Sequence, residues 1–221
     1  MEFVVTTAIK KLYQLNKRIK VIRGGTSAGK TFGIIPILID KAIKNPNLEI
    51  SIVSESVPHL RRGALKDFLK IMMILNRYRD VQFNKSTLKY NFTNGSYIEF
   101  FSTDMPDKLR GARRTDLYIN ECNNIPFDAY QQLMVRTSNN IWLDYNPTSS
   151  FWVDREVLNG EDVDFITLTY KDNEALPETI VKEIESARVK AKKSTYWKNW
   201  WKVYGLGQLG SLEGVCIPDW K

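Results

Sequence analysis

Residues 24–31, Gly-Gly-Thr-Ser-Ala-Gly-Lys-Thr, limit most strongly what this chain can fold into. Glycines let the backbone curl until successive N–H groups face one point, which suits an anion. The spacing G-x-x-x-x-G-K-[ST] is that of the phosphate-binding loop of nucleotide hydrolases. Its flanks agree. Ile19–Arg23 is a short β-branched run that reads as a buried strand. Thr31–Ile39 is apolar and opens a helix, with Pro36 placed to kink it or end its first turn. A helix N-terminus adds partial positive charge where a polyphosphate would lie. Gly24, Gly25, Thr26, Ser27, Ala28, Gly29, Lys30 and Thr31 are therefore candidate nucleotide-binding residues. Lys30 would reach the β- and γ-phosphates of ATP, and the Thr31 hydroxyl would ligate Mg²⁺. Without those flanks the string would be a glycine-rich surface turn with a stray lysine.

A chain of 221 residues suits one domain of ordinary to large size, and 43% hydrophobic residues supply its core. A net charge of +7 points toward a polyanionic partner, although a merely soluble basic protein carries as much. Cys122 and Cys216 are far apart and, with His59 as the one histidine, build no zinc site. They read as free thiols in a reducing compartment. No apolar run reaches transmembrane length and no signal-peptide pattern opens the chain, so the expectation is an intracellular protein without membrane contact.

Elsewhere, periodicity predicts helices over 2–16, 60–75, 126–137, 177–192 and 194–204. It predicts strands at 49–54, 117–119, 140–144 and 163–169. Residues 87–92 and 96–101 flank Asn94-Gly95 and read as a hairpin within or at the edge of the sheet. Trp197, Trp200, Trp201 and Tyr204, with nearby lysines, are read chiefly as a packing stripe, with nucleic-acid stacking as the alternative.

A second chemical stretch ends at Glu121, just past the strand 117–119. An acidic residue there can polarise water for attack on a γ-phosphate. The preceding position, usually an aspartate in the Mg²⁺ shell, is Asn120; it can hydrogen-bond a metal-bound water but adds no charge. Arg110, Arg113 and Arg114 precede the strand and are candidates for an arginine that stabilises the transition state, or for a basic loop on DNA or in water. Asn146, after the strand 140–144, is placed to sense hydrolysis; its bland reading is an Asn-Pro turn.

Taken in order, these patterns resemble the ATPase domain of a tailed-phage terminase large subunit, the motor that packages DNA. The resemblance rests on the glycine loop, Leu109-Arg110-Gly111 before the strand ending in Glu121, and Asp144-Tyr145-Asn146-Pro147. Tyr170-Lys171-Asp172-Asn173 with Leu176-Pro177, and Tyr204-Gly205-Leu206-Gly207 with Glu213-Gly214, also fit. It implies an α/β P-loop NTPase fold of RecA/ASCE type, with a mostly parallel sheet flanked by helices and an added antiparallel hairpin. It implies Lys30 and Thr31 on ATP and Mg²⁺, Glu121 as catalytic glutamate, Arg110 as a trans-acting arginine finger, and Asn146 in or beside the coupling motif. Implied partners are double-stranded DNA, a homo-oligomeric ring, commonly of five subunits, on the portal protein of a procapsid, and a small terminase subunit, all in the host cytoplasm. Residues 1–204 would form the ATPase domain and 205–221 a linker toward an absent nuclease domain. The chain stops near Trp220 with no acidic cluster suited to a two-metal nuclease, so nuclease activity is not expected of it. An excised domain and a split gene product both fit. Alternatives of other kinds are a helicase-like nucleic-acid ATPase, a small-molecule kinase, and a module that binds nucleotide without hydrolysis.

Overall fold

The computed structural model describes residues 3–105, 109 and 111–210. Among the described residues, eight strands form one sheet in the order β3-β4-β5-β2-β6-β7-β1-β8. They are β1 (Ile19–Gly24), β2 (Glu49–Ser54), β3 (Phe83–Asn84), β4 (Lys89–Asn91), β5 (Tyr97–Ser102), β6 (Asp116–Ile119), β7 (Ile141–Tyr145) and β8 (Val163–Leu168). Pairing is parallel from β5 through β8 and antiparallel for β3–β4 and β4–β5, which makes the predicted hairpin an edge device. Its turn also serves the neighbouring helix. Asn94 Nδ2 donates to the carbonyls of Ala42 (2.8 Å) and Ile43 (3.1 Å), satisfying groups that a helix end leaves open.

The central strands alternate between two buried faces, as a sheet covered on both sides requires. One face carries Ile22, Ile50, Ile52, Tyr118 and Trp142 and packs on α1 (Thr7–Tyr13), α2 (Lys30–Lys44) and α4 (Ala64–Ile74). The other carries Val21, Val53, Leu117, Ile119, Leu143 and Tyr145 and packs on α5 (Phe127–Met134) and the turn at 152–157. There Trp152 stacks on Tyr130 at 4.6 Å between ring centroids and donates its indole N–H to Ile125 O at 2.8 Å. Asp116 is wholly buried at the amino end of β6, where it takes the Lys41 ammonium at 2.7 Å and the Asn140 backbone N–H at 3.0 Å. That pair ties α2 to the sheet. Cys122 is buried and free, and Cys216 lies outside the described residues.

Several boundaries differ from the sequence expectation, each for a local reason. α1 starts at Thr7 because the Thr6 hydroxyl accepts from Ile9 N (3.4 Å) and caps the helix, leaving Val4 and Val5 outside it and exposed. The expected helix over 60–75 is two helices, α3 (Val57–Arg62) and α4, broken at Gly63 with φ −104° and ψ −107°. α2 runs its full 15 residues through Pro36 rather than ending in its first turn. Its buried stripe of Gly33, Ile34, Ile35, Leu38, Ile39 and Ala42 outweighs the one backbone bond that proline removes. α6 (Glu178–Lys190) starts after Pro177. α7 (Thr195–Trp200) passes into a π-helical turn at Trp201–Gly205, and its aromatic stripe packs on itself and the domain. Trp200 meets Tyr204 at 5.2 Å and Tyr170 meets Trp201 at 6.1 Å. No helix among the described residues is long and apolar enough to cross a membrane.

Phe68 of α4 meets Tyr90 at 5.5 Å and Phe100 at 5.1 Å, so it joins the helical layer to the edge hairpin. Phe68→Ala is expected to cost about 3–5 kcal/mol in urea unfolding. Lys182→Ala, which removes an exposed pair with Glu178, is expected to change stability by less than about 0.5 kcal/mol.

Candidate active site

Parallel strands end together at one edge of the sheet, and three of them build the site there. β1 delivers the glycine loop, β6 delivers Asn120 and Glu121, and β7 delivers Asp144 and Asn146. β7 lies between the other two. The register pairs Tyr118 with Trp142 and Ile22 with Asp144. With a period of two, Tyr118, Asn120 and Asp144 therefore share the face that α2 covers, directly beneath its N-terminus.

The loop needs its glycines at specific points. Gly29 precedes α2 with φ 78°, in the left-handed region. Gly25 has the tighter constraint: a Cβ there would lie 1.9 Å from the backbone oxygen of Tyr204. Asn173, from the segment after β8, donates its amide to Ser27 O at 2.9 Å and holds the loop from the other side.

Lys30 opens α2 and is almost wholly buried. Its ammonium donates to Gly24 O and Gly25 O, both at 3.0 Å, and to Asn146 Oδ1 at 2.7 Å. Burial lowers its pKa, and the negative charges of Asp144 and Glu121 oppose that shift. Three groups singled out in the sequence thus meet: Lys30 touches Asn146 directly, and Glu121 acts on it through space.

Beside Lys30 lies a buried polar cluster centred on Asp144, which is 1% exposed. Its Oδ1 accepts from Tyr118 OH (2.9 Å), Asn120 Nδ2 (3.0 Å) and the Glu121 backbone N–H (3.1 Å). Asn120 Nδ2 also reaches Thr31 Oγ1 at 3.3 Å, which joins the loop to the end of β6. Burial raises the Tyr118 hydroxyl pKa well above its ordinary value, with the Asp144 charge adding to the effect, so it stays a donor. Glu121 has φ 53°, in the left-handed region just past the strand. Its Oε2 sits 3.2 Å from His59 Nε2 of α3.

These groups line a cavity of about 590 Å³, a size suited to a nucleotide. Thr26–Thr31, Glu121, Asp144, Asn146 and Asn173 contribute to its polar lining, and Phe3, Ile9, Phe32, Ala175 and Pro177 to its apolar lining. Of the arginine candidates, Arg114 is buried in a structural role. It donates to Ser51 Oγ at 3.1 Å and to Leu133 O at 3.2 Å. Arg113 is exposed, and Arg110 lies outside the described residues.

Residues 16–206 match the sequence model of the phage terminase large subunit family. The chain belongs to that family. No curated protein is significantly similar in sequence. Among solved structures, the large terminase of a thermophilic bacteriophage superposes with a TM-score of 0.78 at 18% identity, over 94% of this chain and 54% of that one. The same thermophilic-phage protein has also been solved in complex with ADP and with ATP-γ-S. The ATPase domain of the Thermus phage P74-26 large terminase gives a TM-score of 0.68 at 13% identity, over 91% of this chain and 93% of that domain. The Phi-28 gp11 DNA packaging motor gives 0.52 at 13% identity, over 96% and 69%. This terminase chain thus has the α/β fold of large-terminase ATPase domains and spans about half the length of the thermophilic-phage protein. At these identities the structural likeness carries the fold alone.

Sequence reasoning had Asp144 only as part of a strand-end pattern and His59 only as a missing zinc ligand. A carboxylate inside the apolar run Ile-Trp-Leu-Asp-Tyr was the available signal for Asp144. Gly25→Ala is expected to weaken nucleotide binding at least about tenfold, read by a fluorescent ADP analogue, because the group it strikes is main chain. Gly33→Ala is the contrast. Its Cβ meets only side-chain atoms, the tip of Leu12 at 2.6 Å and Ile9 Cγ1 at 3.7 Å, and binding is expected to survive.

Proposed function

We propose that this terminase chain is a Mg²⁺-dependent ATPase that drives double-stranded DNA into a procapsid. One observation carries the reading: three strand ends bring the loop, Lys30, Thr31, Glu121 and Asn146 to one cavity of nucleotide size. Gly24–Thr31 cradle the phosphates with backbone N–H groups. Lys30 exchanges its bonds to Gly24 O, Gly25 O and Asn146 Oδ1 for β- and γ-phosphate oxygens. Glu121 orients a water and takes its proton as the water oxygen bonds to the γ-phosphorus and the bond to the bridging oxygen breaks, leaving ADP and phosphate. Asn146, released from Lys30, carries the nucleotide state into β7 and the segment that follows.

The Thr31 hydroxyl and the Asp144 and Glu121 carboxylates that line the cavity are oxygen donors of the kind Mg²⁺ takes. When bound, the ion neutralises charge on the β- and γ-phosphates. On this reading residues 1–204 are the ATPase unit and 205–221 lead on from it. Subunits work as a ring, commonly of five, on a portal protein in the host cytoplasm, with a small terminase subunit delivering DNA. Arg110 completes a neighbour's site. The ADP and ATP-γ-S complexes of the thermophilic-phage terminase support the nucleotide, and the Phi-28 packaging motor supports the process. A kinase reading fits less well, because Glu121 stands where it serves water rather than an acceptor metabolite.

Specific ATPase rate is expected to climb with protein concentration and again with double-stranded DNA. A flat, DNA-independent rate overturns the motor reading. Lys30→Ala is expected to abolish hydrolysis. Glu121→Gln is expected to bind ATP while losing about 10²–10⁴ in turnover. Arg110→Ala is expected to lose about 10³ or more in turnover and keep its nucleotide affinity. Mixing it with Glu121→Gln should restore activity, and absence of rescue where wild type assembles removes the trans role.

A further inference from the structure

The site holds one carboxylate more than the sequence motif provides and one fewer where the motif wants it. Asn120 stands at the usual metal-shell position, and its orientation is fixed by its neighbour. Asp144 Oδ1 only accepts, so the group 3.0 Å from it must be the Asn120 NH₂. That leaves the Asn120 carbonyl facing Ser54 Oγ at 3.4 Å, away from Thr31. Toward the loop Asn120 therefore presents a donor. A metal-bound water also donates, and needs an acceptor.

Asp144 supplies one. It sits on the adjacent strand end, on the same face, within a hydrogen bond of the same Asn120 nitrogen that reaches Thr31 Oγ1. All three of its donors fall on Oδ1, and among the described residues no donor bonds Oδ2. Asp144 is 1% exposed and lines the nucleotide cavity, and Oδ2 is not one of the partnerless buried atoms among the described residues, so the open oxygen keeps access to that cavity. We propose that Asp144 is the carboxylate of the Mg²⁺ shell in this terminase, reaching a metal-bound water through Oδ2. The charge of the shell thus comes from the end of β7 rather than β6: Asn120 orients Asp144, and Asp144 carries the charge. The inference rests on the nucleotide-binding reading and replaces the metal role expected of Asn120.

The test is Mn²⁺ affinity by electron paramagnetic resonance in the presence of ADP, beside ADP affinity in excess EDTA. Asp144→Asn is expected to weaken Mn²⁺ about tenfold or more while metal-free ADP affinity stays within about twofold. The exchanged pair, Asn120→Asp with Asp144→Asn, is expected to regain Mn²⁺ affinity to within about threefold of wild type. Undiminished Mn²⁺ affinity in Asp144→Asn overturns the proposal, and so does an equal loss of metal-free ADP binding, which would make the residue a support for the loop. If Asp144→Asn does not fold, the exchanged pair decides: recovery supports the proposal and failure to bind Mn²⁺ overturns it. Wild type that binds neither ADP nor Mn²⁺–ADP overturns the nucleotide reading itself.

Discussion

A buried ammonium group governs this molecule. Lys30 sits at the start of a helix, where the backbone already carries partial positive charge, and it is shut away from water. Such a charge survives only if surrounding groups compensate it. Two loop carbonyls and an asparagine oxygen do so by contact, and the carboxylates of Asp144 and Glu121 by field. Those compensating groups come from the ends of β1, β6 and β7. Satisfying one side chain therefore dictates which strands must lie side by side and where each must stop.

The sheet order follows that requirement. β7 separates the loop strand from the strand that ends in Glu121, so the carboxylate stands one strand away from the phosphate loop. β7 also brings a second carboxylate, Asp144, under the helix N-terminus, and with it the polar cluster that locks Asn120 and Tyr118. Packing on either side then needs little invention: each buried strand offers alternate residues to α2 and α4 above and to α5 below.

Much of this was legible in the residues. The loop, the strands at 49–54 and 163–169 (one residue shorter in the structure), the Asn94-Gly95 hairpin and the strand before Glu121 follow from period and turn chemistry. What escaped were effects carried between segments distant in sequence. Gly63 divides a continuous apolar period because local backbone geometry, not side-chain pattern, ends a helix there. Pro36 fails to break α2 because the buried stripe is long enough to offset one lost bond. The pairing of Asn120 with Asp144 depends on strand register, and that of His59 with Glu121 on where α3 packs, neither of which a local pattern encodes. Arg114 looked like its neighbours in a basic run, yet its side chain points inward, onto Ser51 and the end of α5.

The closeness of Gly25 to Tyr204, and of Gly207 to Gly24, has a mechanical meaning. Where two side chains meet, a rotamer change absorbs a displacement. Where two main chains meet with no Cβ between them, nothing is available to yield. The stretch from Trp201 to Gly210 thus meets the glycine loop main chain to main chain, and a side chain at Gly25 or Gly207 would have no room between them.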